Sequence, residues 1–166
     1  MKRMLAACLL VASFAMGGVK AEGLSYTRDT GLLADRAIVL LDVRALAQCE
    51  RRSVQGARCL PVEDLLGPHG SLPDFRQIMW LFGTEGLSGN ETVMVLGNHA
   101  LRRNFVAGLL YLAGQRKVWV MQEKLDTLLG GNGIQVGQGE RRSLVADPIF
   151  QSAPRDGLIN RRAIRS

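Results

Sequence analysis

The sequence predicts one α/β domain in which helices cover both faces of a central parallel sheet. Short apolar runs that are rich in β-branched residues, such as residues 37–43 and 93–96, have the length and composition of buried strands. Between such runs lie segments whose apolar residues recur at helical spacing, of which residues 72–82 are an example. An alternation of strands and helices is typical of βαβ units and therefore of a parallel sheet.

The individual elements follow from the same patterns. Residues 22–36 are polar, with one turn of helix expected around residues 31–34. The predicted strands are the apolar runs at residues 37–43, 58–60, 93–96 and 117–121. The predicted helical segments are residues 45–52, 62–66, 72–82, 103–113 and 123–129. Gly114 and Gly130 follow the last two helices, as glycine commonly does where a helix stops.

The first 21 residues have the features of a secretory signal peptide. Lys2 and Arg3 supply the positive start, and the apolar stretch at residues 5–16 is too short to span a bilayer. Small residues precede the expected cleavage point after Ala21. We therefore expect a periplasmic or secreted protein with no stable membrane span after cleavage, and an uncleaved signal anchor is the alternative.

The rest of the chain divides into a folded body, residues 22–137, and a basic tail, residues 138–166. The tail has no periodicity and is rich in Arg, Ser and Gly, which predicts a flexible segment. The formal net charge of +6 arises from the signal segment and from this tail. The body is neutral, so a nucleic-acid-binding face is not supported there. The tail arginines could bind acidic lipid or a partner, although a plain soluble tail is the simpler interpretation.

The central unit is residues 93–114, which predict a strand, a six-residue loop and a helix. Open α/β sheets bind ligands beyond the carboxyl ends of their strands and at the N-termini of helices. The loop at residues 97–102 and the start of the helix are therefore the candidate binding site. Its residues are Gly97, Asn98, His99, Ala100, Leu101, Arg102 and Arg103.

Several stretches resemble a rhodanese domain. Residues 40–44, LLDVR, are similar to a motif near the start of that family, and residues 56–61, GARCLP, are similar to its GAxNIP at the expected spacing. Residues 93–114 resemble the family's strand, active-site loop and helix, and residues 118–121 resemble the strand that follows. The resemblance extends from about residue 37 to residue 136 and implies the rhodanese-like fold.

Rhodaneses carry sulfur as a persulfide on the cysteine that begins this loop, and the family's spacing places Gly97 there. Glycine has no thiol, and the imidazole of His99 cannot form a stable persulfide. Ala100 replaces the family's loop glycine, whereas Arg102 matches a basic residue that is common in these loops. Glu123 and Lys124 replace the Gly-Gly before the last helix. The resemblance therefore implies a sulfurtransferase-type domain without its nucleophile.

The remaining candidates have more than one interpretation. Asp42 and Arg44 could be active-site charges, but a structural pair at the end of the first predicted strand is favoured. Cys49 and Cys59 could form a disulfide, remain as two buried thiols or act as a redox relay. The two histidines are far apart in the sequence and no Cys or carboxylate cluster accompanies them, so no metal and no cofactor is expected.

These observations lead to two hypotheses on function. The first is an exported, catalytically silent rhodanese-like module that binds a small oxyanion or a periplasmic protein partner, accessory to sulfur metabolism or redox. The second is a thiosulfate sulfurtransferase-type enzyme that acts through a residue that the sequence does not identify. In the first hypothesis, Arg102 and Arg103 could grip an oxyanion together with the loop amides, or they could be solvated.

Overall fold

The structure is a computed structural model and describes residues 23–141, 150–155 and 157–158. The predicted signal peptide and much of the predicted tail lie outside these residues. Within the described residues, none of the helices has the length and apolar character that crossing a membrane requires.

A parallel sheet forms the centre of the domain, as the sequence predicts, and it has five strands. In chain order the strands are β1 (Gly23–Thr27), β2 (Ile38–Asp42), β3 (Ser53–Val54), β4 (Arg58–Cys59), β5 (Thr92–Leu96), β6 (Lys117–Met121) and β7 (Val136–Gly137). The sheet has the order β1-β6-β5-β2-β4, and each of its neighbouring pairs is parallel. β3 and β7 form a separate antiparallel ribbon. β5 therefore lies in the middle of the sheet, with the end of β2 beside its own end.

Helices pack on both faces of this sheet. They are α1 (Leu46–Arg51), α2 (Phe75–Thr84), α3 (Ala100–Leu112) and α4 (Leu125–Gly130), with 3-10 helices at Thr30–Ala34, Val62–Leu65 and Pro68–Gly70. The alternation along β5 separates two cores: Val93 and Val95 pack with residues of α2 and α3, whereas Met94 and Leu96 pack with residues of α4. Both faces of β5 are buried, which explains its continuous apolar sequence.

The sequence does not predict β1, which is an edge strand. Its residues, GLSYT, are mostly half-buried and lack an apolar run. β1 pairs in register with β6, from Gly23 opposite Lys117 to Thr27 opposite Met121. The strand is therefore specified by a partner that is distant in the sequence, and local pattern could not reveal it. Helix α2 also begins later than predicted, because Asp74 caps it by accepting a hydrogen bond from the Gln77 N–H.

The described parts of the predicted flexible tail are packed on the domain. Phe150 is buried and its ring lies 5.8 Å from that of Phe82. The Gln151 N–H donates to the Ser88 carbonyl at 3.0 Å, and residues 139–141 run beside β4. One buried ring and a few backbone hydrogen bonds thus hold these residues against the domain, although their sequence has no periodicity, and the flexibility of the tail stays a prediction. The boundary after residue 137 stays a prediction.

Candidate functional site

The carboxyl ends of β2 and β5 lie side by side, and a cavity of about 260 Å³ opens between the segments that follow them. The residues that line it are Val43, Arg44, Ala45, Gln48, Glu63, Asn98, His99 and Arg102. Three members of the predicted site, Asn98, His99 and Arg102, thus share one cavity with the segment after β2. Exposed Leu101 and buried Arg103 do not line it.

The loop after β5 is shorter than predicted. Helix α3 begins at Ala100 rather than near Arg103, so that only residues 97–99 separate it from β5. The Arg103 N–H already donates to the His99 carbonyl, at 3.1 Å. Ala100, Leu101 and Arg102 are all strong helix formers, and no Gly or Pro interrupts them. The prediction of a six-residue loop is therefore wrong, and the high helix propensity of Ala100 was the available signal.

Gly97 lies in a tight place at the end of β5. Its carbonyl accepts hydrogen bonds from the Leu125 N–H, at 3.2 Å, and from the guanidinium of Arg103. A Cβ atom built on Gly97 would lie 2.9 Å from Cγ2 of the buried Val43. A side chain here would therefore require Val43 to move. That Gly97 occupies the position of the family's cysteine stays a prediction.

A network of charged and polar side chains, buried at Asp42 and Arg44 but exposed at Asp126, fixes the segment after β2. Asp42, which is 0% exposed, accepts hydrogen bonds from the guanidinium of Arg44, with a closest distance of 2.7 Å, and from Ser53 Oγ at 2.8 Å. Arg44 Nη1 also donates to Asp126 Oδ1 at 2.8 Å. Asn98 Nδ2 donates to Asp126 Oδ2 at 2.7 Å, and the Asp126 N–H donates to Asn98 Oδ1 at 3.0 Å. The network joins β2, α4 and the loop after β5, which agrees with the structural interpretation of Asp42 and Arg44.

The network also explains the protonation of Arg44. Burial by itself lowers the pKa of this guanidinium, but the hydrogen bonds and charge of Asp42, followed by those of Asp126, raise the pKa above its ordinary value. Arg44 therefore remains a cation, although it is only 7% exposed.

The two arginines at the start of α3 have different surroundings. Arg102 is partly exposed and forms an ion pair across the cavity with Glu63. The pKa of Glu63 is lowered, above all by a hydrogen bond from the backbone N–H of Glu63 itself and also by Arg102, although burial acts in the opposite direction. Arg103 is only 4% exposed, and its guanidinium donates to the carbonyls of Gly97 and Gln122.

Burial lowers the pKa of Arg103, and the charge of Glu123 partly offsets this. The guanidinium of Arg103 is thus buried and hydrogen-bonded to the backbone of the loop after β5. Two alternatives for Arg103 follow from the sequence, a solvated side chain or one that grips a ligand, and the buried position of Arg103 agrees with neither.

Known structures share this architecture. The chain superposes on the 3-mercaptopyruvate sulfurtransferase from Leishmania major with a TM-score of 0.60 and 17% identity, over 81% of this chain and 40% of that one. It superposes on SseA from Escherichia coli, a 3-mercaptopyruvate sulfotransferase with the rhodanese fold, with a TM-score of 0.57 and 20% identity, over 75% and 53% of the two chains. The chain has the rhodanese-like fold.

A third structure, the protein YnjE, matches with a TM-score of 0.58 and 16% identity, over 70% of this chain and 29% of that one. The chain thus spans about half or less of the length of these three neighbours. No family model and no curated protein matches the sequence. At such identities the similarity establishes the fold alone, and the chemistry has to be argued from the site.

The two cysteines of this rhodanese-like domain are bonded to each other. Cys49 in α1 and Cys59 in β4 form a disulfide, and both residues are 0% exposed. This confirms the first of the three interpretations. The described residues hold no further cysteine, so that part of the chain has no free thiol. Nor do these residues include a group of three or more His, Cys, Asp or Glu side chains that could hold a metal ion.

Sequence reasoning missed the polar side chains of Gln48 and Glu63, which line the cavity, and that of Asp126, which hydrogen-bonds with Arg44 and Asn98. A signal for Asp126 was available, because it is an acidic residue in the first turn of the helix that follows β6. In a parallel sheet, residues that follow neighbouring strands meet at the same edge. Glu63 and Gln48 carried no comparable signal, because they enter the cavity from the side, on a 3-10 helix and on α1.

Proposed function

We propose that this protein is an exported, catalytically silent rhodanese-like module that binds a small oxyanion, or an acidic group of a protein partner, in the cavity between the ends of β2 and β5. One observation carries the proposal: the described residues present no nucleophilic thiol. Gly97, directly after β5, has no side chain, and both cysteines are bonded and buried. A persulfide requires a thiolate, so the site is better suited to binding than to sulfur transfer.

The cavity favours an anion for two reasons. First, Arg102 and His99 line it together with Arg44, although Asp42 and Asp126 already balance the charge of Arg44. Second, the first turn of α3 has no acidic residue and no capping side chain, so the N–H groups at the start of that helix lack intrahelical partners and carry partial positive charge. An oxyanion such as sulfate or thiosulfate can accept hydrogen bonds from these groups together with Arg102.

Glu63 limits the strength of this binding. Its carboxylate already occupies one side of Arg102, so an incoming anion competes with it for the guanidinium. A few charge-assisted hydrogen bonds in an open site, less the cost of association, correspond to a dissociation constant on the order of a millimolar. Such affinity suits a transient role accessory to sulfur metabolism or redox.

The test is a titration of the isotopically labelled mature protein with thiosulfate and with sulfate at constant ionic strength, followed by amide chemical shifts. We expect saturable shifts confined to residues 97–103. Arg102→Gln should weaken binding and Glu63→Gln should strengthen it, since the second change removes the competing carboxylate.

Arg141→Gln is the matched control, because Arg141 also pairs with a surface carboxylate, Asp64, but does not line the cavity. It should leave the dissociation constant unchanged. Shifts scattered over residues 138–166, or no saturation by tens of millimolar, would reject the anion site and leave only a protein partner.

Catalytic silence and export have their own tests. The mature protein should show no thiosulfate:cyanide sulfurtransferase turnover. Turnover that persists when Cys49 and Cys59 are both replaced by serine would support the enzyme hypothesis instead. Export predicts that protein recovered from the periplasm begins at Glu22, and mass spectrometry of the intact protein measures this directly.

A further inference from the structure

The Cys49–Cys59 disulfide is covered by a short segment of the chain, residues 138–141, which we call the strap. The Gly139 N–H donates to the Cys49 carbonyl at 2.9 Å. Next to it, the Cys59 N–H donates to the Glu140 carbonyl and the Glu140 N–H donates to the Ala57 carbonyl, each at 2.9 Å. The strap thus lies along the outer edge of β4, parallel to it, directly over the bonded sulfurs.

Gly139 has no spare room above the disulfide. A Cβ atom built on it would lie 2.3 Å from Cys49 Sγ, 2.6 Å from Cys59 Sγ and 2.9 Å from the Cys49 carbonyl oxygen. The backbone of the strap is therefore in contact with both sulfurs, and glycine is the only residue that fits without displacing it.

We propose that the strap is a redox-responsive latch, which stays on β4 while Cys49 and Cys59 are bonded and leaves it when they are reduced. Two thiols carry two additional hydrogens and keep a nonbonded separation, so they need more space than a disulfide. The sulfurs are fully enclosed, and a close-packed interior has no void to accept the increase. One of the three elements around the sulfurs has to move.

The strap is the element that moves most easily. β4 pairs with β2 inside the sheet, and α1 packs against both β3 and β4. The strap is held by the three backbone hydrogen bonds described above and by the ion pair of Arg141 with Asp64, at 3.1 Å. Such a partly exposed ion pair contributes little stability. Short, weakly held segments of this kind open locally without unfolding of the domain.

The reaction is an ordinary thiol–disulfide exchange with a dithiol as reductant. One thiolate of the dithiol attacks a cysteine sulfur and forms a mixed disulfide, and its second thiol then displaces the remaining cysteine. Two electrons and two protons pass to Cys49 and Cys59, and the dithiol becomes a cyclic disulfide. Because both sulfurs are enclosed, the first attack takes place during a brief local opening of the strap, and reduction then keeps the strap off β4. This inference does not depend on the anion site.

The test compares amide hydrogen exchange in the oxidised protein and in the protein reduced with dithiothreitol. In the reduced protein, the N–H groups of Gly139, Glu140 and Cys59 should exchange at least about tenfold faster, as expected for a locally opened segment. The Leu60 N–H, directly after β4, donates to the Asp42 carbonyl of β2 at 3.0 Å and should keep its protection. Unchanged exchange in the strap, or equal loss at Leu60, would overturn the proposal.

Two variants separate crowding from the loss of the cross-link. Replacing both cysteines, Cys49→Ala with Cys59→Ala, removes the bond and also the bulk, so strap protection should stay within about twofold of that in the oxidised protein. If the strap in this double variant lost as much protection as it does in the reduced protein, the space needed by the two thiols would not be the cause of opening. Gly139→Ala in the oxidised protein adds bulk without breaking the bond, and strap exchange should accelerate there while Leu60 stays protected. Unchanged hydrogen exchange of the strap in Gly139→Ala would overturn the proposal of a latch.

Discussion

The segments after β2 and after β5 begin at neighbouring points on one edge of the sheet, yet they are built differently. After β2, Asp42 and Arg44 are almost completely buried, and a network of short hydrogen bonds holds them. After β5, the tip of the loop at His99 is exposed, and α3 begins without a capping side chain. We call the buried segment after β2 the closed side, or frame, and the exposed segment after β5 the open side. Asn98 joins the two sides through its hydrogen bonds with Asp126. In the site that we propose, rigidity would come from one strand end and free hydrogen-bond donors from the other.

The largest expected effect is on the closed frame. Asp42→Asn should lower the free energy of unfolding by about 3–5 kcal/mol, because it leaves the buried Arg44 without its main counter-charge. Urea denaturation measures this change. Asp64→Asn, which removes a surface partner of Arg141, is the control and should cost no more than about 1 kcal/mol. Similar losses in the two variants would mean that the segment after β2 is not a charge-stabilised frame.

The disulfide supports the same closed side, because Cys49 lies on the helix that follows Arg44. Replacing Cys49 and Cys59 by alanine should lower the free energy of unfolding by roughly 2–3 kcal/mol, as expected when a cross-link that closes so short a loop is lost. Denaturation with and without reductant gives the comparison. Alkylation of the denatured, non-reduced protein followed by mass spectrometry should modify neither residue, and two modified cysteines would show that the bond is absent from the protein.

The connection between the two sides should have an intermediate effect. Asn98→Ala removes two hydrogen bonds to Asp126, so it should cost about 1 kcal/mol and should raise hydrogen exchange around residues 97–100. Asn104→Ala, on the exposed side of α3, is a matched control and should leave that exchange unchanged. If both variants behave alike, the open side keeps its shape without help from the frame.

The smallest effect belongs to the ion pair of Glu63 and Arg102 on the open side. The pKa of Glu63 is lowered in the folded protein, so its contribution is present above the unfolded pKa of about 4.3 and is lost as the pH falls through the folded value. Because both side chains are partly exposed, the contribution should stay below about 1 kcal/mol. Thermal unfolding of Glu63→Gln and of the wild type should differ slightly at pH 7, and the difference should shrink as the pH falls below about 4.3. A gap that widens in acid would contradict this assignment.

The sequence predicts the closed side better than the open side, for a physical reason. Asp42 and Arg44 directly follow a buried apolar run, so their burial and pairing could be read locally. The length of the loop after β5 depends on whether residues 100–102 belong to the loop or to α3. Helix propensity favours α3, whereas the family pattern favours the loop. Two further features depend on contacts between residues that are distant in the sequence, so no local pattern contains them. Arg103 is held by the carbonyl of Gln122, the residue after β6, and the edge strand β1 is held by β6 itself.

The order of the strands also has a consequence for the time course of folding. β1 comes first among the described strands, but its partner in the sheet is β6, with Gly23 opposite Lys117. Pairing between residues so far apart in the chain has a large loop-closure cost and is slow to form. As the chain is synthesised, β1 has to wait until nearly the whole domain has emerged. During that interval β1 itself is unpaired and can pair with strands of other molecules, so this strand is where the newly made protein is most exposed to aggregation.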